Sequence, residues 1–394
     1  MRFSPLKTAA VLQDPPIQPC VAIVRCEDYT PQRVTAAVAE LIQAIADPAS
    51  LLAAGPTVLI KPNLLTDAAP EQAKTTHPEV VRAMIRLLRE HGATVSVGDS
   101  PASAAKLSRV WEKSGYEKLC AAEGAAVIRF EQHPTRPLRC GHSVLNLAEP
   151  VLNADLVVNI PKVKTHILTT FTGAVKNLYG VLPGYQKTIL HRAYPTPSQF
   201  GRLPAALYAR IRPRLNLADA IVAMEGAGPS GGDPIRLGFL AASTDAVALD
   251  TALCSVLGIN VRRLPWRRYL PPECAEALNP ESIQYPLLRP RDVKPPRFRI
   301  PNPLWPRLIP GPLVRRLGKL AWIRPRFEPA CVRCGRCVKA CCNQALRLEA
   351  TDPRPVLIPE RCVACCCCHE VCPERAVTMH QSPLLHWIRR GRLP

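Results

Sequence analysis

Residues 156–166 read LVVNIPKVKTH: a nearly continuous apolar run that stops at Pro161 and gives way to Lys162, Lys164 and His166. A strand buried on both faces needs such a run, and burial on both faces marks a parallel sheet covered by helices. The pattern recurs along the chain, as VAIV at 21–24, VLI at 58–60, VSV at 95–97 and AVI at 126–128. Helical stretches separate these runs: TAAVAELIQAIAD, VVRAMIRLLREHG and a segment around Lys106 to Cys120. AIVAM at 220–224 and LGFLAAS at 237–243 add two strands, and TDAVALDTALCSVLG adds a helix capped at Thr244. Leu138 to Leu147 reads as a hairpin around Gly141. The expectation is an α/β fold over residues 20–285, an open, mostly parallel sheet with flanking helices.

In such a sheet, ligands bind beyond the carboxyl ends of the strands, so the residues that follow each run carry the functional reading. They are Lys61-Pro62-Asn63, Gly98-Asp99-Ser100, Lys162 to His166, and Glu225-Gly226. Lys162, Lys164 and His166 are spaced by two, which on an extended chain points all three the same way. Lys176 and Asn177 ride a short helix in TGAVKNLYG that Gly180 ends. Lys162, Lys164, His166 and Glu225 are therefore candidate catalytic groups. Lys61, Asn63, Asp99, Lys176 and Asn177 are candidates for holding an anionic ligand, carboxylate or phosphate. The plainer reading is that loops are polar everywhere.

Other motifs are weaker. Gly226-x-Gly228-x-x-Gly231 has dinucleotide-binding spacing, but Pro229 interrupts it and a strand, not a helix, follows. His77 sits in Thr76-His77-Pro78-Glu79, a helix start in which Thr76 caps and Glu79 completes a capping box. His191 is a lone histidine.

The C-terminal region carries two matched runs, Cys331-x2-Cys334-x2-Cys337-x3-Cys341 and Cys362-x2-Cys365-x2-Cys368-x3-Cys372-Pro373. This spacing presents three sulfurs to one iron–sulfur cluster and sends the fourth cysteine to the other. By that rule Cys331, Cys334, Cys337 and Cys372 hold one 4Fe-4S cluster, and Cys362, Cys365, Cys368 and Cys341 hold the second. Adding 31 to each number of the first run gives the second, so the segment is an internal duplication. Cys342 stands where the second run has Pro373, and Cys366 and Cys367 are extra thiols. Zinc is the competing reading of CxxC pairs.

Residues 328–380 resemble the bacterial two-cluster ferredoxins. VLIKPNLL, THPEVVRA, VGDSPA, NIPKVKTH, TGAVKNLYG, and DAIVAMEGAGPSGGDP followed by TDAVALD resemble, in that order, the family designated domain of unknown function three hundred and sixty-two, over about residues 20 to 260. The resemblance implies an iron–sulfur protein with an uncharacterised partner domain. It also implies that Lys61, Asn63, Asp99, Lys162, Lys164, His166, Lys176, Asn177 and Glu225 stand in recurring motifs.

Composition bounds the setting. Cluster ligands must be reduced, and the six cysteines outside the C-terminal runs show no disulfide-like pattern, which points to a cytoplasmic protein. Neither a signal peptide nor a membrane-spanning run is expected. The net charge of +20 is uneven, for residues 286–329 hold eleven Lys or Arg, two acids and eleven prolines. Such proline density excludes continuous helix or central strand, so 286–327 reads as a basic connector, with one short amphipathic helix at Leu313 to Ile323. Residues 381–394 form a basic tail. Trp266, Trp305, Trp322 and Trp387 sit among basic residues, which suits peripheral contact with an anionic membrane, an acidic protein partner, or burial between the two modules. Nothing directs nucleic-acid binding, since no zinc-finger, helix-turn-helix or RNA-binding signature appears.

The expected function is relay of electrons through two clusters, between a redox partner protein and a small anionic substrate at the strand ends. A non-catalytic carrier or docking adaptor, and a non-redox enzyme with structural or sensing clusters, are the alternatives.

Overall fold

A computed structural model describes residues 18–52, 55–102, 105–301 and 322–385. The chain runs β1 (Ala22–Arg25), α1 (Pro31–Ile45), β2 (Thr57–Pro62), α2 (Pro78–Glu90), β3 (Thr94–Asp99), α3 (Leu107–Lys113), α4 (Tyr116–Glu123) and β4 (Ala126–Arg129). A separate hairpin, β5 (Thr135–Cys140) and β6 (Ser143–Ala148), leads to β7 (Leu156–Ile160), β8 (Lys162–His166) and β9 (Thr170–Thr172). Then come α5 (Ala174–Asn177), α6 (Gln186–Ala193), α7 (Arg202–Ile211), β10 (Leu215–Glu225), β11 (Asp233–Ser243) and α8 (Ala246–Leu257).

The main path of the sheet is β1-β11-β10-β7-β2-β3-β4. From β10 to β4 every pairing is parallel, as the apolar runs require, while β11 and β1 close that edge antiparallel. Side chains alternate across the sheet. Val58 and Ile60 of β2 join Val34, Leu41, Met84 and Leu88 on the α1–α2 face, and Leu59 joins Val175, Leu203 and Leu253 on the α5–α7–α8 face. The α1 helix buries Val34, Ala37, Val38, Leu41 and Ile42, the stripe of a 3.6-residue repeat.

Local details differ from expectation for identifiable reasons. The cap of α2 is His77, whose Nδ1 accepts from Glu79 N at 3.2 Å. Thr76 Oγ1 is committed elsewhere, donating to Ile160 O at 2.7 Å and accepting from Asn63 N at 2.9 Å. The cap of α8 is Asp245, not Thr244, because its Oδ1 reaches both Val247 N and Ala248 N. The helix expected from Lys106 to Cys120 is two helices, broken at Gly115, where φ is +78°. Trp266 is 1 % exposed and belongs to the core, so it is no membrane anchor.

Of the connector, residues 286–301 lie along the α/β domain: Leu288 N donates to Ile23 O at 3.2 Å and Val293 is buried. The amphipathic helix expected at Leu313 to Ile323 falls outside the described residues except for Trp322 and Ile323, as do Trp305 and Trp387.

The C-terminal unit pairs β12 (Ile323–Phe327) with β15 (Val377–Gln381), and β13 (Leu346–Arg347) with β14 (Val356–Leu357), all antiparallel. Its helices are α9 (Arg336–Lys339) and α10 (Cys367–Glu370). The duplication is visible in the backbone. Left-handed residues recur 31 positions apart, Arg333 and Ala364, Gly335 and Cys366, Gln344 and Arg375. So do the bonds Ala345 N to Cys341 Sγ at 3.1 Å and Ala376 N to Cys372 Sγ at 3.2 Å.

Candidate functional site

The C-terminal unit sits over the strand ends. Arg336 clasps Asp67 with both terminal nitrogens, at 2.5 and 2.8 Å. Ser230 Oγ donates to Glu370 O at 2.7 Å, His369 Nε2 lies 2.9 Å from Ala227 O, and Arg375 pairs with Asp233 at 3.0 Å. Between the two parts lies a cavity lined from the sheet by Asn63, Asp99, Lys164, His166, Thr172, Lys176 and Asn177, and from the C-terminal unit by Ala340, Cys367, Glu370 and Val371. About 90 Å³ is open to the centres of water-sized molecules, where about 10–15 Å³ suffices for one. The space suits a small ligand.

Six of the nine candidates in the α/β domain meet at this cavity. Lys164 is 1 % exposed, with Nζ donating to Lys74 O at 2.7 Å. Burial, with Lys176 and Lys162 adding like charge, holds its ammonium well below the usual lysine range. Lys176 lies over the rings of Tyr179 and Phe200, 4.8 and 5.5 Å from their centroids, and burial brings it down to about 8. His166 accepts from Leu168 N at 3.1 Å through Nδ1, so its neutral ring carries the proton on Nε2, which stands 3.4 Å from Glu370 Oε1. Burial first, then the neighbouring lysines, keeps His166 neutral. Glu370 is pushed up to about 7 by burial, against the pull of Lys176 and Lys164.

Lys61 stands just behind the cavity wall. Its Nζ is 2.8 Å from Asp99 Oδ1 and donates to Pro62 O at 2.9 Å, and both members of the pair are almost wholly buried. Asp99 Oδ2 accepts from Leu64 N at 2.7 Å. Gly180 covers this pair, and its role is steric: a Cβ there would lie 2.3 Å from Asp99 Oδ1 and 2.7 Å from Lys61 Nζ. Gly180→Ala is accordingly expected to destabilise the chain by about 1–3 kcal/mol, read as a lower urea midpoint. A midpoint equal to the parent's would show that the pair has room to yield.

Lys162 and Glu225 do not reach the cavity. Opposite β10 the register jumps, with Lys162 facing Asp219 and Lys164 facing Met224, so the spacing by two does not keep the three side chains together. Lys162 Nζ is taken by Asp219 Oδ2 and Tyr29 OH, each at 2.8 Å. Glu225 holds Arg299 of the connector, accepting from Nε at 2.6 Å and from its backbone N–H at 2.7 Å.

Glu370 and Lys187 escaped sequence reasoning, whereas His191, set aside there as a lone histidine, also lines the cavity. Glu370 lies inside the second cysteine run, which was read only for sulfur. Lys187 donates to Ser100 O and Pro101 O, both at 2.6 Å, and burial lowers it to about 8. His191 stacks on Phe200 at 4.5 Å and is held to about 3, chiefly by burial.

The cysteines form two further cavities. Cys331, Cys334, Cys337 and Cys372 line one, and Cys341, Cys362, Cys365 and Cys368 line the other, both smaller than the strand-end cavity. Cys342, Cys366 and Cys367 also line the second. Among the described residues no three Cys, His, Asp or Glu side chains are grouped as a single metal ion would require.

Comparison with known proteins adds a family and one close relative. The profile described as "Domain of unknown function (DUF362)" matches residues 58–255, short of the cysteine runs. A thylakoid-associated protein of Synechocystis sp. is 33% identical over 322 residues, 80% of this chain and 98% of that protein. Among solved structures, the lactate racemase apoprotein from Thermoanaerobacterium thermosaccharolyticum superimposes with a TM-score of 0.41 at 16% identity, over 62% of this chain and 58% of that one. A Thermotoga maritima protein gives 0.31 at 13%, over 51% and 52%. The chain thus spans little more than half the length of either solved structure, and likeness at that level assigns no activity. Among the described residues no helix is long and apolar enough to cross a membrane.

Proposed function

The chain belongs to the family described as domain of unknown function (DUF362), and from that premise we propose that it is an iron–sulfur oxidoreductase, passing electrons between two 4Fe-4S clusters and a small anion in the strand-end cavity. One observation carries the reading: Cys367 lines both the cavity of the second cysteine quartet and the cavity beneath the C-terminal unit. A ligand there would be separated from the second quartet by little more than one side chain.

The donor sets fit the group. Each cavity is lined by one quartet of the spacing rule, with the fourth sulfur drawn from the opposite run, as cross-ligation requires. Sulfurs spread around a cavity suit a cluster of several atoms better than one zinc ion with four ligands at about 2.0–2.3 Å. Backbone N–H groups at Ala345 and Ala376 donate to Cys341 and Cys372, the kind of contact that tunes cluster sulfur. Cys331, Cys334, Cys337 and Cys372 would hold one cluster, and Cys362, Cys365, Cys368 and Cys341 the other; bound there, they would supply single electrons.

The remaining chemistry belongs to the chain. Lys164 and Lys176 offer positive charge where water is largely excluded and an ion pair is strongest. His166 presents Nε2–H within the cavity as a hydrogen-bond donor to a bound group, and the neighbouring Glu370, pushed up to about 7, is the acid placed to give that group a proton. Reduced holoprotein should transfer electrons to a small anionic acceptor, and Lys164→Ala should abolish that transfer while leaving the iron content intact. Undiminished transfer in the variant would remove the cavity from the mechanism.

The lysines also set a pH dependence. Lys176, at about 8, faces Lys164, Lys61, His166, His191, Glu370 and Cys367. An anion binds its ammonium form, so above pH 8 each binding event must take up a proton and affinity should fall about tenfold per pH unit. Lys164, also held down by burial, acts in the same direction. Calorimetry in buffers of different ionisation heat should show net proton uptake at pH 8, and proton release would reverse the assignment.

A further inference from the structure

Four asparagines form a continuous relay beside the strand-end cavity. Asn216 Nδ2 faces two backbone carbonyls, Pro213 O at 3.3 Å and Ser243 O at 3.4 Å. Carbonyls only accept, so this end of the amide is its nitrogen. Asn216 Oδ1 then accepts from Asn159 Nδ2 at 3.0 Å, which also donates to Ala174 O at 3.0 Å. Asn159 Oδ1 accepts from Asn177 Nδ2 at 2.8 Å, and Asn177 Oδ1 accepts from Asn63 Nδ2 at 3.0 Å. Each amide that donates through nitrogen presents its oxygen onward, so the polarity set at Asn216 propagates to the end.

The end is Asn63, a residue lining the cavity. Its Oδ1 is buried and has no hydrogen-bond partner among the described residues, and the relay forbids the flip that would exchange it for NH2. Of the other lining atoms, Thr172 Oγ1, on a residue only 4 % exposed, and His191 Nδ1 share that condition, while Asp99 Oδ1 and Glu370 Oε1 have only Lys61 Nζ at 2.8 Å and His166 Nε2 at 3.4 Å beside them. Buried acceptors left unpaired are costly, so the cavity calls for hydrogen-bond donors as well as for negative charge.

The features that favour phosphate are already spent or missing. At the N-terminus of α5, Ala174 N and Val175 N are taken by Asp250, at 2.6 and 3.1 Å, and no arginine lines the cavity among the described residues. Resting on the anion reading above, we infer that the ligand is a small carboxylate bearing a hydroxyl or ammonium group, its carboxylate at Lys164 and Lys176 and its O–H or N–H donated to Asn63 Oδ1.

Isothermal titration of the anaerobically prepared full-length protein tests this, with glycerate, propionate and inorganic phosphate as probes. Glycerate should bind about tenfold or more tightly than propionate, which lacks donors, and more tightly than phosphate. Asn63→Leu should bring the glycerate-to-propionate ratio towards one; should that variant fail to fold by circular dichroism, Thr172→Val provides the second measurement, with a smaller fall in the same ratio. Equal binding of glycerate and propionate, or tighter binding of phosphate, overturns the inference while leaving an anion site. Absence of binding by all three, or binding indifferent to Lys164→Ala, brings down the anion reading itself.

Discussion

Cys372→Ala is expected to remove about four of about eight irons, although Cys372 lies in the second run and its three partners lie in the first. The structure groups it with Cys331, Cys334 and Cys337 around one cavity, and Cys341 with Cys362, Cys365 and Cys368 around the other. Non-additivity makes the assignment decisive, because residues serving one cluster cannot each remove it. Cys331→Ala combined with Cys372→Ala should lose no more iron than either alone, whereas Cys331→Ala with Cys341→Ala should lose nearly all of it. Iron counting on anaerobic protein reads both. If the first pair proves additive and the second does not, each run holds its own cluster and cross-ligation is wrong; colourless protein carrying zinc would end the iron–sulfur proposal altogether.

Asp219→Ala should be the most damaging single change in the α/β domain. Asp219 is fully buried and accepts from Lys162 Nζ, Tyr29 OH and the backbone N–H of His77, at 2.8, 2.8 and 2.9 Å. Burial pulls the Lys162 ammonium down and Asp219 opposes that pull, so removing the carboxylate strands a buried lysine. Breaking such a pair costs about 3–5 kcal/mol, a large share of the roughly 5–15 kcal/mol that stabilises a typical domain. Tyr29→Phe deletes the hydroxyl that bridges Asp219, Lys162 Nζ and Val222 N–H but leaves the ion pair, so its cost should be smaller, about 1–3 kcal/mol. Urea unfolding followed by circular dichroism compares the two. A loss below about 1 kcal/mol for Asp219→Ala would mean that Lys162 is already neutral in the folded chain.

Much of this molecule can be inferred before any coordinates. Apolar runs such as LVVNI and VLI specify strands buried on both faces, because the side-chain period of a strand and the need to cover both faces are properties of a few consecutive residues. The duplicated cysteine spacing is equally local, and it reappears as left-handed residues and N–H to sulfur bonds recurring 31 positions apart. Polarity at the strand ends and on the short helix beside them likewise singled out six residues that line one cavity.

Partnership across the sheet is different. Lys162 leaves the expected constellation because the register with β10 jumps after it. Glu370 enters because the C-terminal unit docks over the strand ends through Arg336 and Ser230. The amide polarity of Asn63 depends on carbonyls at Pro213 and Ser243, three asparagines away. Periodicity and spacing along the chain record what neighbours in sequence must do together. Which distant groups share a buried hydrogen bond is set by strand order and docking, and that only the tertiary structure decided.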